Sequence, residues 1–191
     1  MPIMSCRNRL LSFLLLSFPA VLIVTPVSGE EAFSWIERAG DQVRLTSADG
    51  NRYLLSMASS VEGVLVDKRK HRIGHSFYLA VFQVHPSNPE NPLGFCGAGN
   101  EVRLHVLEAL GNELREKTSV LVSSCLHSIS LRSQNTGNEN QDMDFSSITW
   151  SDQGFSIDWF NNKDALGRSL QSTEYALRNG SFSAHDLFEQ P

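Results

Sequence analysis

The sequence contains little of what would place it in several common classes of protein. Three cysteines among 191 residues are too few for a miniprotein held together by disulfides. Seven prolines and 13 glycines are too few for a collagen-like chain. Hydrophobic residues make up 41% and charged residues 19%, so intrinsic disorder throughout is excluded as well. The composition leaves an ordinary packed domain.

The short motifs of common catalytic and metal sites are also missing. There is no HExxH, no CxxC and no Gly-x-Ser-x-Gly, so zinc and serine-hydrolase chemistry have no local support. His71 and His75 are four residues apart, a spacing that binds zinc from one face of a helix. The turn and strand predicted around them favour surface histidines instead. We therefore expect no metal, no cofactor and no enzymatic activity.

The first 29 residues have the layout of a secretory signal peptide. Arg7 and Arg9 form a basic head, residues 10–24 form an apolar run, and Val27, Ser28 and Gly29 form a small-residue end. Pro19 and Pro26, together with the shortness of the run, argue against an uncleaved spanning helix. Cys6 precedes the apolar run, whereas a lipoprotein cysteine would follow it. We expect cleavage near Gly29, export of the rest of the chain and no stable membrane anchor.

Removal of this segment changes the charge balance. Arg7 and Arg9 are its only charged residues, so residues 30–191 retain 14 basic and 21 acidic side chains, a formal charge of −7. An acidic domain is repelled by nucleic acid and by anionic lipid. A basic protein fits better as a partner, although moderate acidity also serves solubility alone.

Cys96 and Cys125 are the two cysteines that remain after cleavage. An even pair in an oxidising compartment predicts one disulfide, which would close a loop of about 30 residues. Such a bridge stabilises a fold by about 3–4 kcal/mol in the chain-entropy model. In the competing interpretation, Cys96 is a nucleophile with a histidine partner, and a free thiol would support it. The glycines around Cys96, in the segment Gly94-Phe95-Cys96-Gly97-Ala98-Gly99, favour a tight, disulfide-bearing entry to a strand.

Alternation of apolar and polar residues predicts many strands. Residues 42–47 and 52–57 flank the turn sequence ADGN and predict a hairpin. Residues 75–85 are apolar on both faces, which is typical of a central strand covered on two sides. Phe155, Ile157 and Trp159 share one face and should enter the core. Further strands are expected at residues 63–67, 101–107, 114–131, 145–150, 155–160, 168–177 and 181–187. Only residues 33–38 and 186–190 show weak helical patterns. The prediction is mainly β: a single antiparallel sandwich or barrel-like domain over residues 30–191, with one disulfide.

Residues 133–144 have almost no apolar content and predict a long exposed loop. Residues 87–93 predict a second polar loop. Loops of this kind are well placed to contact partners, and acidic groups can steer a basic one. We expect the partner-binding residues to lie in the first loop and to be Asn135, Asn138, Glu139, Asp142 and Asp144. That loop lacks the ligand alternation and the central glycine of a calcium-binding loop.

The signal-like start, the segment GFCGAGNE at residues 94–101 and the second cysteine within VSSCL at residues 122–126 resemble small periplasmic β proteins of Gram-negative bacteria. Some of these are immunity proteins that block cell-wall-degrading effectors delivered by type VI secretion. The resemblance implies a periplasmic location and a non-catalytic role. The protein would be an inhibitor that inserts a loop of a rigid β scaffold into the active-site groove of a secreted or periplasmic hydrolase. The resemblance carries over no individual contact residue.

Two other functions remain open at this point. A glycan-binding or small-molecule-binding domain of the envelope would use Trp35, Trp150 or Trp159 for stacking. A cysteine hydrolase would need Cys96 as a free thiol.

Overall fold

The computed structural model describes residues 33–37, 40–47, 49–139 and 141–189. The predicted signal peptide lies outside these residues. The described part of the chain contains no α-helix and is built from antiparallel strands. The strands, in chain order, are β1 (Phe33–Glu37), β2 (Gln42–Thr46), β3 (Arg52–Ser56), β4 (Gly63–Asp67), β5 (His71–Ile73), β6 (Ser76–Pro86), β7 (Asn100–Leu110), β8 (Glu113–Ser124), β9 (Ser130–Leu131), β10 (Ile148–Trp150), β11 (Gly154–Asn161), β12 (Leu170–Arg178) and β13 (Ser181–Phe188).

The strands form three layers. The middle layer is a sheet with the order β1-β4-β6-β7-β8, in which β5 also pairs with β6. One face of it packs on a second sheet with the order β10-β11-β12-β13, in which β9 pairs with β11. The hairpin β2–β3 covers the other face. The predicted antiparallel β-sandwich is therefore confirmed, and the hairpin adds a layer to it.

Two hydrophobic clusters hold the layers together. The first lies between the two large sheets and contains Phe82, Leu104, Ile157 and Trp159. The second lies under the hairpin, where Leu45 and Tyr53 meet the opposite face of the middle sheet. Strand β6 contributes to both, which confirms the prediction of a central strand covered on two sides.

Several expected boundaries are wrong. Of the residues 33–38 predicted as a weak helix, residue 38 lies outside the described residues, and residues 33–37 form the edge strand β1, which pairs with β4. One helical turn cannot compete with five paired residues because helix nucleation is costly. Residues 186–188 belong to β13, not to a helix. The strand predicted at 114–131 is interrupted, since β8 ends at Ser124 and Ser128 has φ 52°. The strand predicted at 145–150 begins only at Ile148.

Candidate functional site

One end of the middle sheet carries a compact projection that we call the stapled tip, residues 87–99 together with residues 125–128. Its longer segment connects β6 to β7, and its shorter segment follows β8. The longer segment folds into consecutive tight turns, because the amides of Asn91, Gly94, Gly97 and Gly99 each donate to the carbonyl three residues earlier at 3.0–3.1 Å. The three prolines in residues 86–92 cannot donate to a sheet ladder, so the chain turns instead of extending.

The two segments of the stapled tip are joined covalently. Cys96 and Cys125 form a disulfide with a Cα–Cα distance of 5.7 Å, as the sequence predicted. Gly99 lies against the bridge, and a Cβ there would come within 2.8 Å of the Cβ of Cys125. At Gly97 a Cβ would collide with the backbone carbonyl of Pro92. The glycines are thus needed for close approach of the backbone, which confirms the expected tight entry to β7.

Glu101, the second residue of β7, ties the base of the tip together. Its Oε1 accepts hydrogen bonds from the hydroxyl of Ser87 at 2.6 Å and from the amide of Leu126 at 3.3 Å. Burial alone would raise the pKa of Glu101, but hydrogen bonds from Ser124, Ser87 and Leu126 outweigh burial and lower it. The carboxylate therefore stays ionised and clamps both segments.

The stapled tip exposes large apolar side chains although it is rigidly held. Leu93 is 99% exposed, Phe95 is 75% exposed, and Leu126 on the other segment is 44% exposed. Phe95 and Leu126 each adjoin one of the bridged cysteines, so the disulfide brings the two segments that carry them together. A group of large apolar side chains exposed to solvent is typical of a contact site for another molecule.

Backbone strain is also concentrated in the tip. Among the described residues, Cys96, Ser128 and Asn179 are the non-glycine residues with positive φ. Asn179 lies in the Asn-Gly turn of the last hairpin, where such values are ordinary. Cys96 and Ser128, with φ of 56° and 52°, both belong to the stapled tip. Strained conformations of this kind persist only where the surrounding structure fixes them.

The predicted partner-binding residues lie on a second projection, the acidic loop, residues 132–147. It is not a featureless loop, because it forms two short 3₁₀ turns, Arg132–Asn135 and Gln141–Met143. Asn135, Asn138, Glu139 and Asp142 are exposed, whereas Asp144 is half-buried. Side-chain hydrogen bonds tie the loop together: Gln134 donates to the carbonyl of Asp142 at 3.0 Å, and Gln141 accepts from the amide of Gly137 at 2.8 Å.

Phe145 anchors the acidic loop in the core. Its ring stacks on Phe82 of β6 at 3.9 Å between centroids, and it is almost completely buried. Ser133, at the other end of the loop, donates to the carbonyl of Asp144 at 2.6 Å. The acidic loop is therefore held by packing and hydrogen bonds alone, whereas the tip is also held by a covalent bridge.

A cavity of about 530 Å³, which we call the edge cavity, lies between the end of β4, the strand β5 and the acidic loop. Asp67 in its wall is only 2% exposed. The carboxylate accepts from the Arg69 amide at 2.9 Å, from Arg69 Nε at 3.1 Å and from Arg69 Nη2 at 3.2 Å, and His71 Nε2 lies 2.8 Å from it. The full set of lining residues is Asp67, Arg69, His71, Phe82, Asp144, Phe145, Ser146, Ile148, Thr149 and Trp150.

His71 corrects one expectation from the sequence. We expected a surface histidine near a turn, but its side chain is 10% exposed and stacks on Trp150 at 4.0 Å between ring centroids. The physical reason is Asp67, four residues earlier, which holds the ring across the β4–β5 turn. Burial alone would raise the pKa of Asp67, but hydrogen bonds from His71 and Arg69 outweigh it, so the pKa lies below its ordinary value.

Two of the three tryptophans, Trp150 and Trp159, offer little surface for sugar stacking. Trp159 is buried in the core, and its indole N–H donates to Thr173 at 2.9 Å. His71 covers one face of Trp150, and Phe155 lies 5.1 Å from the indole on a tilted plane. Trp35 on the edge strand β1 is 47% exposed.

The disulfide leaves neither cysteine as a thiol, so Cys96 lacks the form that the nucleophile interpretation requires. No cluster of three or more potential metal ligands occurs among the residues that the structure describes. Within that same part of the chain, no helix has the length and apolar character needed to cross a membrane.

Comparison of the chain with protein-family models gave no match, and comparisons with curated proteins and with solved structures gave none either.

Sequence reasoning missed two features of these sites. It did not single out Leu93 and Phe95, although two large apolar residues within a loop rich in proline and glycine were a usable signal. It also did not pair Asp67 with His71, for which the available signal was an acid and a histidine flanking a three-residue basic turn.

Proposed function

We propose that this protein is an exported, periplasmic inhibitor that binds a basic cell-wall-degrading enzyme and occludes its active site. In that role it would be an immunity protein of the kind that neutralises effectors delivered by type VI secretion. The observation that carries the proposal is the stapled tip, which presents Leu93 and Phe95 to solvent on a cross-linked loop.

The rigidity of the tip supports insertion into a cleft. A flexible loop loses conformational entropy when it is immobilised, at a cost of about 0.5–1.5 kcal/mol for each ordered side chain. The turns, the disulfide and the Glu101 clamp fix the backbone before binding. Burial of Leu93 and Phe95 against a partner would then contribute about 1.5–3 kcal/mol for each side chain.

Charge supports the choice of partner. Residues 30–191 carry an excess of seven acidic side chains. Enzymes that act on anionic cell-wall polymers gain from a basic surface, and opposite charges accelerate association of two proteins. The acidic loop, with Glu139 and Asp142 exposed, would contribute to this steering.

The experiment is an inhibition titration. The full chain is expressed with its first 29 residues, and the purified product is added to wall-hydrolysing activity from the secreted and periplasmic fractions of the same organism. We expect saturating inhibition at one-to-one stoichiometry. The double variant Leu93→Ser/Phe95→Ser should need at least about 100-fold more protein for half inhibition, since a loss near 3 kcal/mol corresponds to that ratio.

A matched control is Leu54→Ser, because Leu54 is also an exposed leucine, 61% accessible, but lies on the β2–β3 hairpin. It should inhibit as the natural protein does. Equal loss in both variants would contradict the assignment of the tip, and absence of inhibition in every fraction would contradict the inhibitor function itself.

A further inference from the structure

We propose that the edge cavity is a second binding site, and that it accepts a long basic side chain, lysine or arginine, of a partner protein. This inference rests on the proposed protein-binding function, but it concerns a site away from the stapled tip and can be tested without the partner.

The first argument is the lining of the cavity. Phe82, Phe145, Ile148 and Trp150 supply apolar wall, whereas Asp144, Ser146 and Thr149 supply polar groups. A lysine or arginine side chain has the same division, with an apolar stem of several methylene groups and a charged head. A volume of about 530 Å³ is ample for one such side chain.

The second argument is the balance of charge around the cavity. Arg69 is compensated by Asp67, whose carboxylate it contacts through Nε and Nη2. Asp144 has no such compensation: its carboxylate accepts the amide of Ser146 at 2.8 Å, and within the described part of the chain it makes no ion pair. Asp144 is therefore a carboxylate of the lining that no described cationic side chain neutralises, which favours a cationic guest.

The third argument is that the cavity is preorganised. Asp67 fixes Arg69 and His71, and His71 stacks on Trp150, so this wall is held by contacts that need no ligand. The Phe82–Phe145 stack fixes the floor. A guest would thus enter without first ordering the side chains around it.

The experiment compares two small probes on the purified protein, N-acetyl-arginine methylamide and its uncharged isostere N-acetyl-citrulline methylamide. Binding is followed by the indole N–H resonance of Trp150, assigned with Trp150→Phe. We expect the arginine probe to bind about fivefold to tenfold more tightly than the citrulline probe, as a partly desolvated charge pair would give.

Two variants decide whether Asp144 is responsible. Asp144→Asn removes the charge but keeps an oxygen that can accept the Ser146 amide, and it should reduce the preference to about onefold. Asp158→Asn removes the same charge from an exposed position on β11, outside the lining, and should leave the preference intact.

Three outcomes would overturn the assignment. They are equal binding of both probes, no binding of either probe at about 10 mM, and an equal loss of the arginine preference in both variants. These outcomes are separate from failure of the proposed function. If the arginine probe is preferred but no enzyme is inhibited, the cavity site is supported and the inhibitor function is contradicted. If an enzyme is inhibited but neither probe binds, the inhibitor function is supported and the cavity site is contradicted.

Discussion

The stapled tip and the acidic loop solve the same problem in different ways. Each must hold a chain of more than ten residues outside the sheets. The tip does so with a disulfide, consecutive turns and the Glu101 carboxylate, and it leaves Leu93 and Phe95 in solvent. The acidic loop buries its one large aromatic ring, Phe145, as an anchor and exposes polar side chains. The acidic loop thus uses its one aromatic ring to fasten itself, whereas the covalent bridge of the tip leaves Phe95 in solvent.

The largest expected effect comes from removing the anchor of the acidic loop. Phe145→Ala deletes a buried ring stacked on Phe82 and should lower the free energy of unfolding by about 3–5 kcal/mol. Urea denaturation measures this loss, and hydrogen exchange should accelerate in residues 132–147 but not in the tip. Met143→Ala, an exposed neighbour, is the control and should change stability by less than about 0.5 kcal/mol.

The disulfide is next in size. The double variant Cys96→Ser/Cys125→Ser should lose about 3–4 kcal/mol of unfolding free energy, because the bridge closes a loop with a sequence separation of 29. Here exchange should accelerate in the tip and stay unchanged in the acidic loop. If both loops loosen together, the two fastenings are not independent and the comparison fails.

A smaller effect is expected at Asp67 and depends on pH. The pKa of its carboxyl is lower in the folded protein than its ordinary value of 3.8. The stabilisation is therefore complete above about pH 3.8 and is lost as the pH falls through the lower folded value. Asp67→Asn should cost about 1–3 kcal/mol at neutral pH and remove this acid-dependent loss. The free energy of unfolding, measured between pH 2 and 7, tests this prediction, with Asp142→Asn as the exposed control. If Asp67→Asn loses as much stability at low pH as the natural protein does, the prediction is contradicted.

The smallest effect on stability is expected in the tip side chains themselves. Leu93→Ser/Phe95→Ser should change the unfolding free energy by less than about 0.5 kcal/mol for each residue, because both side chains are exposed. Thermal unfolding measures the difference. A loss of several kcal/mol would mean that these residues pack within the fold and are not available to a partner.

Much of the scaffold was predictable because its signals are local. Alternation of apolar residues indicated the strands, the turn sequence ADGN indicated the first hairpin, and residues 75–85, apolar on both faces, indicated the central strand. Phe155, Ile157 and Trp159 enter the core as their shared face predicts. Cys96 and Cys125 pair with each other, as predicted from their being the two cysteines outside the predicted signal peptide.

The candidate sites were less predictable because they depend on contacts between distant segments. Exposure of Leu93 cannot be read from a loop sequence, since the same residue could fold inward. The sequence predicted Phe145 at the start of a strand, whereas its role as an anchor depends on a contact with Phe82 of the middle sheet. The sequence predicted an exposed His71, because the buried carboxylate that holds the ring, Asp67, lies on the other side of a turn. The role of Asn135, Asn138, Glu139, Asp142 and Asp144 in partner binding stays a prediction.

The central claim, that the stapled tip and not the acidic loop makes the principal contact, is tested most directly by amide hydrogen exchange. The protein would be measured alone and in complex with the wall-hydrolysing enzyme isolated by its inhibition. The account predicts the strongest protection at residues 93–98 and 126–128, with smaller changes in residues 132–147. Protection concentrated in the acidic loop, with the tip exchanging as in the free protein, would contradict it.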